Sequence, residues 1–205
     1  MSLSISLHLL ARAPVAGQVK TRLIPALGAQ GACDVQQMLL MRALQLPATG
    51  FSERFLWLDG LPAAQLQASA EALGWTLVEQ PAGDLGERMR LIATLGLAES
   101  DGVVLIGNDC PAIDSGYLQA ACAALDDHSV VIGPAEDGGY VLLGLRKKEV
   151  NLFADMPWGT DQVLALTLQR LSQQGCKPEL LPTLWDVDRP EDLGRLAALG
   201  IQIDA

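Results

Sequence analysis

A cluster of cationic side chains between residues 11 and 23 has the composition of a phosphate-binding loop. The segment reads ARAPVAGQVKTRL and contains Arg12, Lys20 and Arg22, and no acidic residue occurs before Asp34. An apolar run that alternates like a strand precedes the segment, and a helical pattern follows it. Loops between a strand and a helix bind phosphate in α/β proteins, since backbone N–H groups and cations face the anion. The alternative is a solvated basic loop.

Two widespread phosphate-binding motifs do not fit this loop. A P-loop places a second glycine directly before the lysine, where this sequence has Val19. A dinucleotide-binding loop contains three glycines, whereas only Gly17 lies in this segment. We therefore expect a phosphate site that belongs to neither class.

Asp109 is the strongest candidate for a metal ligand. It follows Asn108 directly after the run 102–107, which is apolar enough for a strand that is buried on both faces. A carboxylate at the end of such a strand is unfavourable unless a cation lies nearby. Mg²⁺ and Mn²⁺ bind carboxylates together with substrate phosphates, so we expect Asp109 to hold a divalent metal on a diphosphate. The alternative is a turn that Asn108 and Asp109 shape before Pro111.

Two further acidic pairs lie outside the predicted helices and strands. Glu136 and Asp137 occur in PAEDGG, between two predicted strands. Asp137 could be a general base or an acceptor ligand, although Asp-Gly-Gly is also an ordinary turn. Asp186 and Asp188 form D-x-D, which could supply a second metal ligand. Asp188 also begins a D-x-x-E pattern with Glu191, which favours a cap of the final helix.

Strand and helix patterns alternate along most of the sequence. The predicted strands cover 3–10, 54–58, 75–79, 102–107, 129–133 and 140–145. The predicted helices cover 29–46, 62–73, a segment that Asp84 and Glu87 cap, 115–125, 160–174 and 190–199. His8 is expected to be a packed strand residue. The alternation predicts an α/β fold with a doubly wound, mostly parallel sheet and one late antiparallel strand.

Composition excludes several classes of protein. A net charge of −10 and a pI near 4.5 argue against nucleic acid as the main partner, because phosphate backbones require a basic surface. No apolar run reaches membrane-spanning length, and the N-terminus lacks the pattern of a signal peptide. The four cysteines are widely spaced, which favours free thiols and a cytoplasmic protein. The apolar face of the helix at 160–174 fits either the core or a dimer surface, so the oligomeric state stays open.

Six motifs together resemble the bacterial family DUF2064, whose members are similar to glycosyltransferases of the GT-A superfamily. In order, they are ARAPVAGQVKTRL, GDLGERM, IGNDCPAI, GPAEDGGYVLLGL, WGT and DVDRPEDL. The resemblance extends from about Leu7 to Leu196. It implies a fold like that of the nucleotide-diphospho-sugar transferases, with a single domain over residues 1–205.

The resemblance also implies roles for residues within these motifs. Nucleotide contacts would come from the basic loop and nearby polar positions, namely Ala11, Arg12, Pro14, Gly17, Lys20, Arg22, Asp84, Arg88 and Asn108. Acceptor contacts would come from Glu136, Asp137, Gly138, Trp158 and Thr160. Asp109 would hold the metal, Mg²⁺ or Mn²⁺. Pro111 stands where glycosyltransferases have the second aspartate of D-x-D, so Asp188 or Asp186 would supply the other ligand.

Three functions remain open at this point. A glycosyltransferase would use a nucleotide sugar and a small-molecule acceptor, with Lys20 and Arg22 offsetting charge on the leaving diphosphate and Asp137 as the base. The segment from Val19 to Leu23 is also similar to phospholactate guanylyltransferases, which join an NTP to a phosphorylated acceptor and release pyrophosphate. The third possibility is a nucleotide-binding module without catalytic activity.

Overall fold

The computed structural model describes residues 3–47, 49–146 and 151–201. The strands are β1 (Ile5–Arg12), β2 (Glu53–Asp59), β3 (Thr76–Glu79), β4 (Gly102–Gly107), β5 (Val130–Pro134), β6 (Tyr140–Arg146) and β7 (Glu179–Leu180). The helices are α1 (Ile24–Leu44), α2 (Ala64–Ala72), α3 (Leu85–Glu99), α4 (Ser115–Asp127), α5 (Val163–Gln173) and α6 (Pro190–Leu196). Single 3₁₀ turns cover Thr21–Leu23 and Ala197–Leu199.

The seven strands described form one sheet in the order β3-β2-β1-β4-β6-β5-β7. Of these strands, only β6 runs antiparallel to its neighbours, β4 and β5. The α/β fold class, with a mostly parallel, doubly wound sheet and one late antiparallel strand, is therefore confirmed.

The order of the strands reverses between β1 and β4. From β1 the chain proceeds through β2 to β3 and then returns to the other side of β1 as β4. Leu10 of β1 lies beside Gly107 of β4, so the loops after these two strands leave the sheet side by side. Ligands of open α/β sheets bind at such a reversal point, outside the carboxyl ends of the strands. The order of the strands therefore places the basic loop, residues 11–23, next to Asp109.

Helices cover both faces of the sheet. Leu7 and Leu9 of β1 face a core that includes α1, α2 and α4. Val103 and Leu105 of β4 belong to a second core with α3 and α5. Alternate side chains of each central strand therefore enter opposite cores, which explains why β4 is almost entirely apolar.

A third, smaller core joins a segment near the N-terminus to the segment that contains α6. Leu23 of the 3₁₀ turn and Leu39 of α1 pack with Val187 and Leu196, which come from the segment before α6 and from α6 itself. All four side chains are almost completely buried. This core places residues 185–188 beside the basic loop.

Most predicted boundaries agree with the structure to within a few residues. β4 begins and ends at the predicted positions. Helix α1 begins at Ile24, but Gly28 (φ 71°, ψ 171°) interrupts it, so regular helix begins at the predicted Ala29. The sequence pattern does not predict β7, because two residues are too few to display alternation. Within the described residues, no helix combines the length and the apolar character needed to cross a membrane.

The predicted cap of the final helix by Asp188 is wrong. The N-cap of α6 is Arg189. The Asp192 carboxylate accepts hydrogen bonds from the backbone N–H groups of Asp188, at 3.0 Å, and Arg189, at 2.7 Å. A carboxylate inside the first turn thus accepts the backbone N–H groups at the start of the helix, and the Asp188 carboxylate pairs with Arg22 instead of capping it.

Candidate functional site

A cavity of about 770 Å³ opens at the carboxyl edge of the sheet. Most of the predicted site residues line it: Ala11, Arg12, Lys20, Arg22, Asp84, Arg88, Asn108, Asp109, Asp137, Trp158, Thr160 and Asp188. Its lining does not include Pro14, Gly17, Glu136 or Gly138. The volume lies in the range of sites for small molecules and cofactors.

Lys20 connects the basic loop to the end of β4. Its backbone is left-handed, with φ 47°, a conformation that residues other than glycine adopt at an energetic cost. The side chain is only 5% exposed, and its Nζ lies 2.6 Å from Asp109 Oδ1. The same ammonium group donates a hydrogen bond to the Val187 carbonyl at 2.6 Å. The predicted phosphate-binding lysine and the predicted metal ligand are therefore in direct contact.

The segment 185–188 lies alongside the end of β4. The Val187 N–H donates to the Asp109 carbonyl at 2.8 Å. The Arg22 guanidinium donates to Oδ2 of Asp188 and forms an ion pair with it. Asp188, a predicted metal ligand, is thus the partner of a cation from the basic loop.

Asp186 is half-buried on the cavity wall. Burial, followed by the negative charges of Asp137 and Asp109, raises the pKa of its carboxyl group to about 6, against an opposing effect of Lys20. Burial alone raises the pKa of a carboxyl group, and nearby negative charges add to the shift. Asp109, Asp137 and Asp186 all line the cavity and form one acidic group of its wall.

The oxygen donors of this cluster suit a hard divalent cation. Mg²⁺ and Mn²⁺ prefer carboxylate ligands, and a cation among Asp109, Asp137 and Asp186 would relieve their repulsion. The described part of the chain holds no group of three His, Cys, Asp or Glu side chains already arranged to bind a metal. The Lys20 ammonium contacts Asp109 instead. The chemistry of the donors therefore fits the metal, and binding would require these side chains to rearrange.

A second group of polar side chains lies at the ends of β2 and β3. Arg88 Nη1 lies 2.8 Å from Asp59 Oδ2 and donates to Gln80 Oε1 at 3.1 Å. Arg12, whose side chain is 71% exposed, lies 3.9 Å from the same carboxylate. No motif indicates Asp59 or Gln80, although both line the cavity. Only their positions in the sequence could have indicated them, because Asp59 ends β2 and Gln80 follows β3 at the edge of the sheet where ligands bind.

The N-terminus of α3 accounts for the motif GDLGERM. Asp84 and Glu87 form the predicted capping box, in which each side chain accepts the other's backbone N–H at 2.9 Å. A Cβ on Gly86 would lie 2.5 Å from Nε1 of Trp158, so only glycine permits this contact. The helix terminus, which favours anions, therefore packs against Trp158 on the cavity wall. The Thr160 hydroxyl donates to a carbonyl of its own loop at 2.8 Å.

Asn108 is the most deeply buried polar residue among the predicted contacts. It lines the cavity and is 5% exposed, and its Nδ2 has no hydrogen-bond partner within the described residues. Buried amide groups without partners are rare, because each loses its hydration without compensation. A ligand oxygen beside Asn108 would satisfy this donor.

Glu136 and Asp137 have different surroundings. Glu136 forms two hydrogen bonds with Arg195, at 2.7 and 2.9 Å, and the Arg195 guanidinium lies 4.3 Å from the Trp185 ring centroid. Hydrogen bonding to Arg195 lowers the pKa of Glu136. Asp137 is exposed in the cavity, and its Oδ1 accepts the Gly139 N–H at 2.9 Å, as in the predicted turn. The turn and an exposed carboxylate are therefore both present.

Two predicted glycines shape loops beside the cavity. Gly17 has φ +80° and no neighbouring atom within 4 Å of a Cβ built on it, so its role is conformational. Gly138 has φ +89°, and its Cβ would lie 2.3 Å from the Asp161 carbonyl oxygen. Its own carbonyl accepts the Leu164 N–H at 2.9 Å, which joins the β5–β6 turn to the start of α5.

The fold is that of the nucleotide-diphospho-sugar transferase-like proteins. The chain belongs to the family DUF2064, described as an uncharacterised protein conserved in bacteria, which residues 41–160 match. No curated protein matches the sequence significantly.

Solved structures share the fold along almost the whole chain. A provisionally assigned nucleotide-diphospho-sugar transferase from Desulfovibrio desulfuricans G20 is 28% identical, with a TM-score of 0.86 over 100% of this chain and 90% of the other. A 4-diphosphocytidyl-2C-methyl-D-erythritol synthase from Anaerococcus prevotii is 11% identical, with a TM-score of 0.61 over 97% and 99% of the two chains. A glucosyl-3-phosphoglycerate synthase from Mycobacterium tuberculosis, solved with Mn²⁺ and UDP, is 15% identical, with a TM-score of 0.55 over 98% and 77%.

Proposed function

We propose that this protein is a transferase that uses a nucleotide-diphospho-sugar as donor and a small molecule as acceptor. The observation that carries this proposal is the contact of Lys20 with Asp109, at 2.6 Å, where the strand order reverses. The reaction requires a cation for the diphosphate and a carboxylate for a divalent metal in one place. The likeness to the D. desulfuricans protein supports this substrate class.

The proposed transfer forms a bond from an acceptor oxygen or nitrogen to the anomeric carbon of the sugar. The bond from that carbon to the diphosphate oxygen breaks, and the diphosphate leaves with the electron pair. Lys20 and Arg22 offset the negative charge that develops on the diphosphate, and Arg12 and Arg88 add positive charge around it. Asp137 accepts the proton of the acceptor.

The metal would be held by Asp109 together with Asp186. We choose Asp186 over Asp188 because Asp188 already contacts Arg22, whereas Asp186 has no ion-pair partner in the described part of the chain. A bound divalent cation supplies Lewis-acid stabilisation of the diphosphate. The Lys20 ammonium group would then contact the phosphates of the donor and no longer the Asp109 carboxylate.

Thermal unfolding with a panel of ligands tests the proposal. The panel contains UDP-, GDP-, ADP- and TDP-sugars and the four NTPs, each with and without Mn²⁺. A ligand that binds only the native state at a hundredfold excess over its Kd stabilises it by about 2.7 kcal/mol. We expect a metal-dependent rise in melting temperature with at least one nucleotide-diphospho-sugar.

Variants locate the binding site in the same experiment. Asp109→Asn should abolish the metal-dependent part of the shift, because it removes the ligand charge while keeping the size of the side chain. The matched control is Asp127→Asn, which makes the same change at an exposed position at the end of α4. A shift with an NTP alone would favour nucleotidyl transfer. No shift with any ligand would contradict the use of a nucleotide substrate.

A further inference from the structure

The charged side chains of the cavity are not evenly shared among its walls. The four cations are Arg12 and the basic-loop residues Lys20 and Arg22, together with Arg88 of α3. The six lining carboxylates include Asp137 of the β5–β6 turn and Asp186 of the segment 185–188. The wall formed by that turn and that segment contributes carboxylates to the lining and no cation.

Every cation of the lining already has a carboxylate nearby. Lys20 contacts Asp109, Arg22 contacts Asp188, and Arg88 contacts Asp59, with Arg12 also within 4 Å of Asp59. The lining therefore carries an excess of two negative charges. A divalent metal would offset this excess, and the donor diphosphate would then add negative charge again. No positive charge of the described lining remains for a second phosphorylated compound.

Arg189 and Arg195 follow this wall in sequence, and neither of them lines the cavity. Arg195 is held by other side chains. It forms two hydrogen bonds with Glu136 and stacks on Trp185, and none of these three residues lines the cavity. Asp137 and Asp186 have no ion-pair partner within the described residues. Two buried polar groups of the lining lack a hydrogen-bond partner within the described residues, the Nδ2 of Asn108 and the hydroxyl of Tyr140, and neither is a cation.

From this distribution we infer that the acceptor is an uncharged or cationic hydroxyl or amine compound and not a phosphorylated one. The inference rests on the proposed transferase function and names the substrate class of its second site. A phosphate beside Asp137 would meet a carboxylate that no lysine or arginine of the described lining offsets, and the metal held by Asp109 and Asp186 would already serve the donor diphosphate. A hydroxyl group can donate to the same carboxylates, and an amine can form an ion pair with them.

Fractionated small molecules from bacterial cells test the inference. The extract is separated on an anion exchanger, and each fraction is added to the protein with the donor and metal identified by thermal unfolding. Release of nucleoside diphosphate is the measured reaction. We expect the stimulating compound in the unretained fraction, and treatment of that fraction with alkaline phosphatase should leave the stimulation unchanged.

The outcomes separate failure of the inference from failure of the proposed function. Stimulation found in the retained fraction, and lost after phosphatase treatment, would overturn the inference while supporting the transferase. Stimulation in the retained fraction that survives phosphatase would also overturn it, because the acceptor would be another anion. No stimulation by any fraction would contradict the transferase itself, and the inference would fall with it.

Inorganic phosphate provides a second probe that does not depend on the extract. The protein is saturated with the nucleoside diphosphate and Mn²⁺, and phosphate is then added in a thermal unfolding experiment at constant ionic strength. The acceptor part of the cavity should give no further stabilisation. A saturable rise in melting temperature, reduced in Asn108→Ala but not in Asp127→Asn, would reveal a phosphate subsite and overturn the inference.

Discussion

Asp137 and Glu136 are adjacent in sequence, yet only one of them is suited to accept a proton. Glu136 is held by Arg195, which lowers its pKa, and it does not line the cavity. A carboxylate that already binds a guanidinium gains less from protonation than an unpaired one. Asp137 is exposed on the cavity wall. At the scale of single residues, the proposed reaction therefore assigns the base to Asp137.

Replacement of Asp137 by Asn should slow the chemical step without weakening donor binding. Loss of a general base reduces turnover by roughly 10²–10⁴-fold, whereas the donor diphosphate lies with the cations of the basic loop. The rate of nucleoside diphosphate release at saturating substrates measures the effect, and Asp127→Asn is the control. Full turnover in Asp137→Asn would contradict the assignment of the base to Asp137.

His8 is a packed strand residue, as expected from the absence of any metal-binding motif near it. It is 1% exposed, its Nδ1 accepts the Trp57 Nε1–H at 3.0 Å, and its Nε2 lies 2.9 Å from the Ser6 hydroxyl. Phe55 stacks on the ring at 5.1 Å between centroids. Burial lowers the pKa of His8 to about 4, so the imidazole is neutral in the folded protein.

This depressed pKa makes stability dependent on pH. Between the unfolded pKa of 6.5 and the folded pKa of about 4, the unfolded chain binds a proton that the native protein does not. The free energy of unfolding should therefore fall as pH decreases through this window, by up to about 3 kcal/mol from His8. Urea unfolding of the wild type and His8→Gln measures it. The difference in stability between the two proteins should shrink towards pH 4, and a constant difference would contradict the prediction.

At the scale of elements, the contact of α3 with the loop that carries Trp158 controls one wall of the cavity. Gly86 is buried at the first turn of α3, where a Cβ would lie 2.5 Å from Trp158 Nε1 and 2.8 Å from the Phe153 carbonyl oxygen. The backbone of the opposing loop cannot yield as easily as the end of a flexible side chain. The close approach of these two elements therefore depends on the missing side chain.

Gly86→Ala should destabilise the protein by about 1–3 kcal/mol, the usual effect of overpacking. Gly194→Ala in α6 is the matched control, since a Cβ there meets no atom within 4 Å. Alanine favours a helix over glycine by up to about 1 kcal/mol, so the control should be neutral or stabilising. Thermal and urea unfolding of both variants test this. Equal stabilities of Gly86→Ala and the wild type would contradict the prediction and show that the opposing loop adapts to the added methyl group without cost.

At the scale of the whole molecule, the candidate site joins three distant parts of the chain. The basic loop follows β1, Asp109 follows β4, and the segment 185–188 precedes α6. Their contacts are made through Lys20 and through the backbone of Val187. The site can form only when the sheet and the third core have both formed, because no pair of these segments is adjacent in sequence.

Hydrogen exchange should therefore respond to ligand in all three segments together. A bound nucleotide substrate and Mn²⁺ are expected to slow exchange of backbone amides in residues 17–23, 109–110 and 186–188. The amides of α2 serve as the internal control, since no residue of that helix lines the cavity. Protection confined to one of the three segments would contradict a shared site.

Local sequence patterns determined the elements and the class of fold. The alternation in β1, the apolar run of β4 and the capping box of Asp84 and Glu87 depend on neighbours a few residues apart, and all three are present in the structure. The position of a polar residue at a strand end also located Asp109. These features are readable in one sequence, because backbone hydrogen bonds and the burial of one face are local requirements.

Only the tertiary structure decided which of these residues meet. Lys20 with Asp109, Arg22 with Asp188, and Arg88 with Asp59 are pairs from distant segments, and no local pattern specifies them. The D-x-x-E pattern at Asp188 even favoured a helix cap, whereas the N-cap is Arg189 and the Asp188 carboxylate pairs with Arg22. Strand order and packing between layers bring such pairs together, and both are set by the burial of the whole sheet rather than by the spacing of any motif.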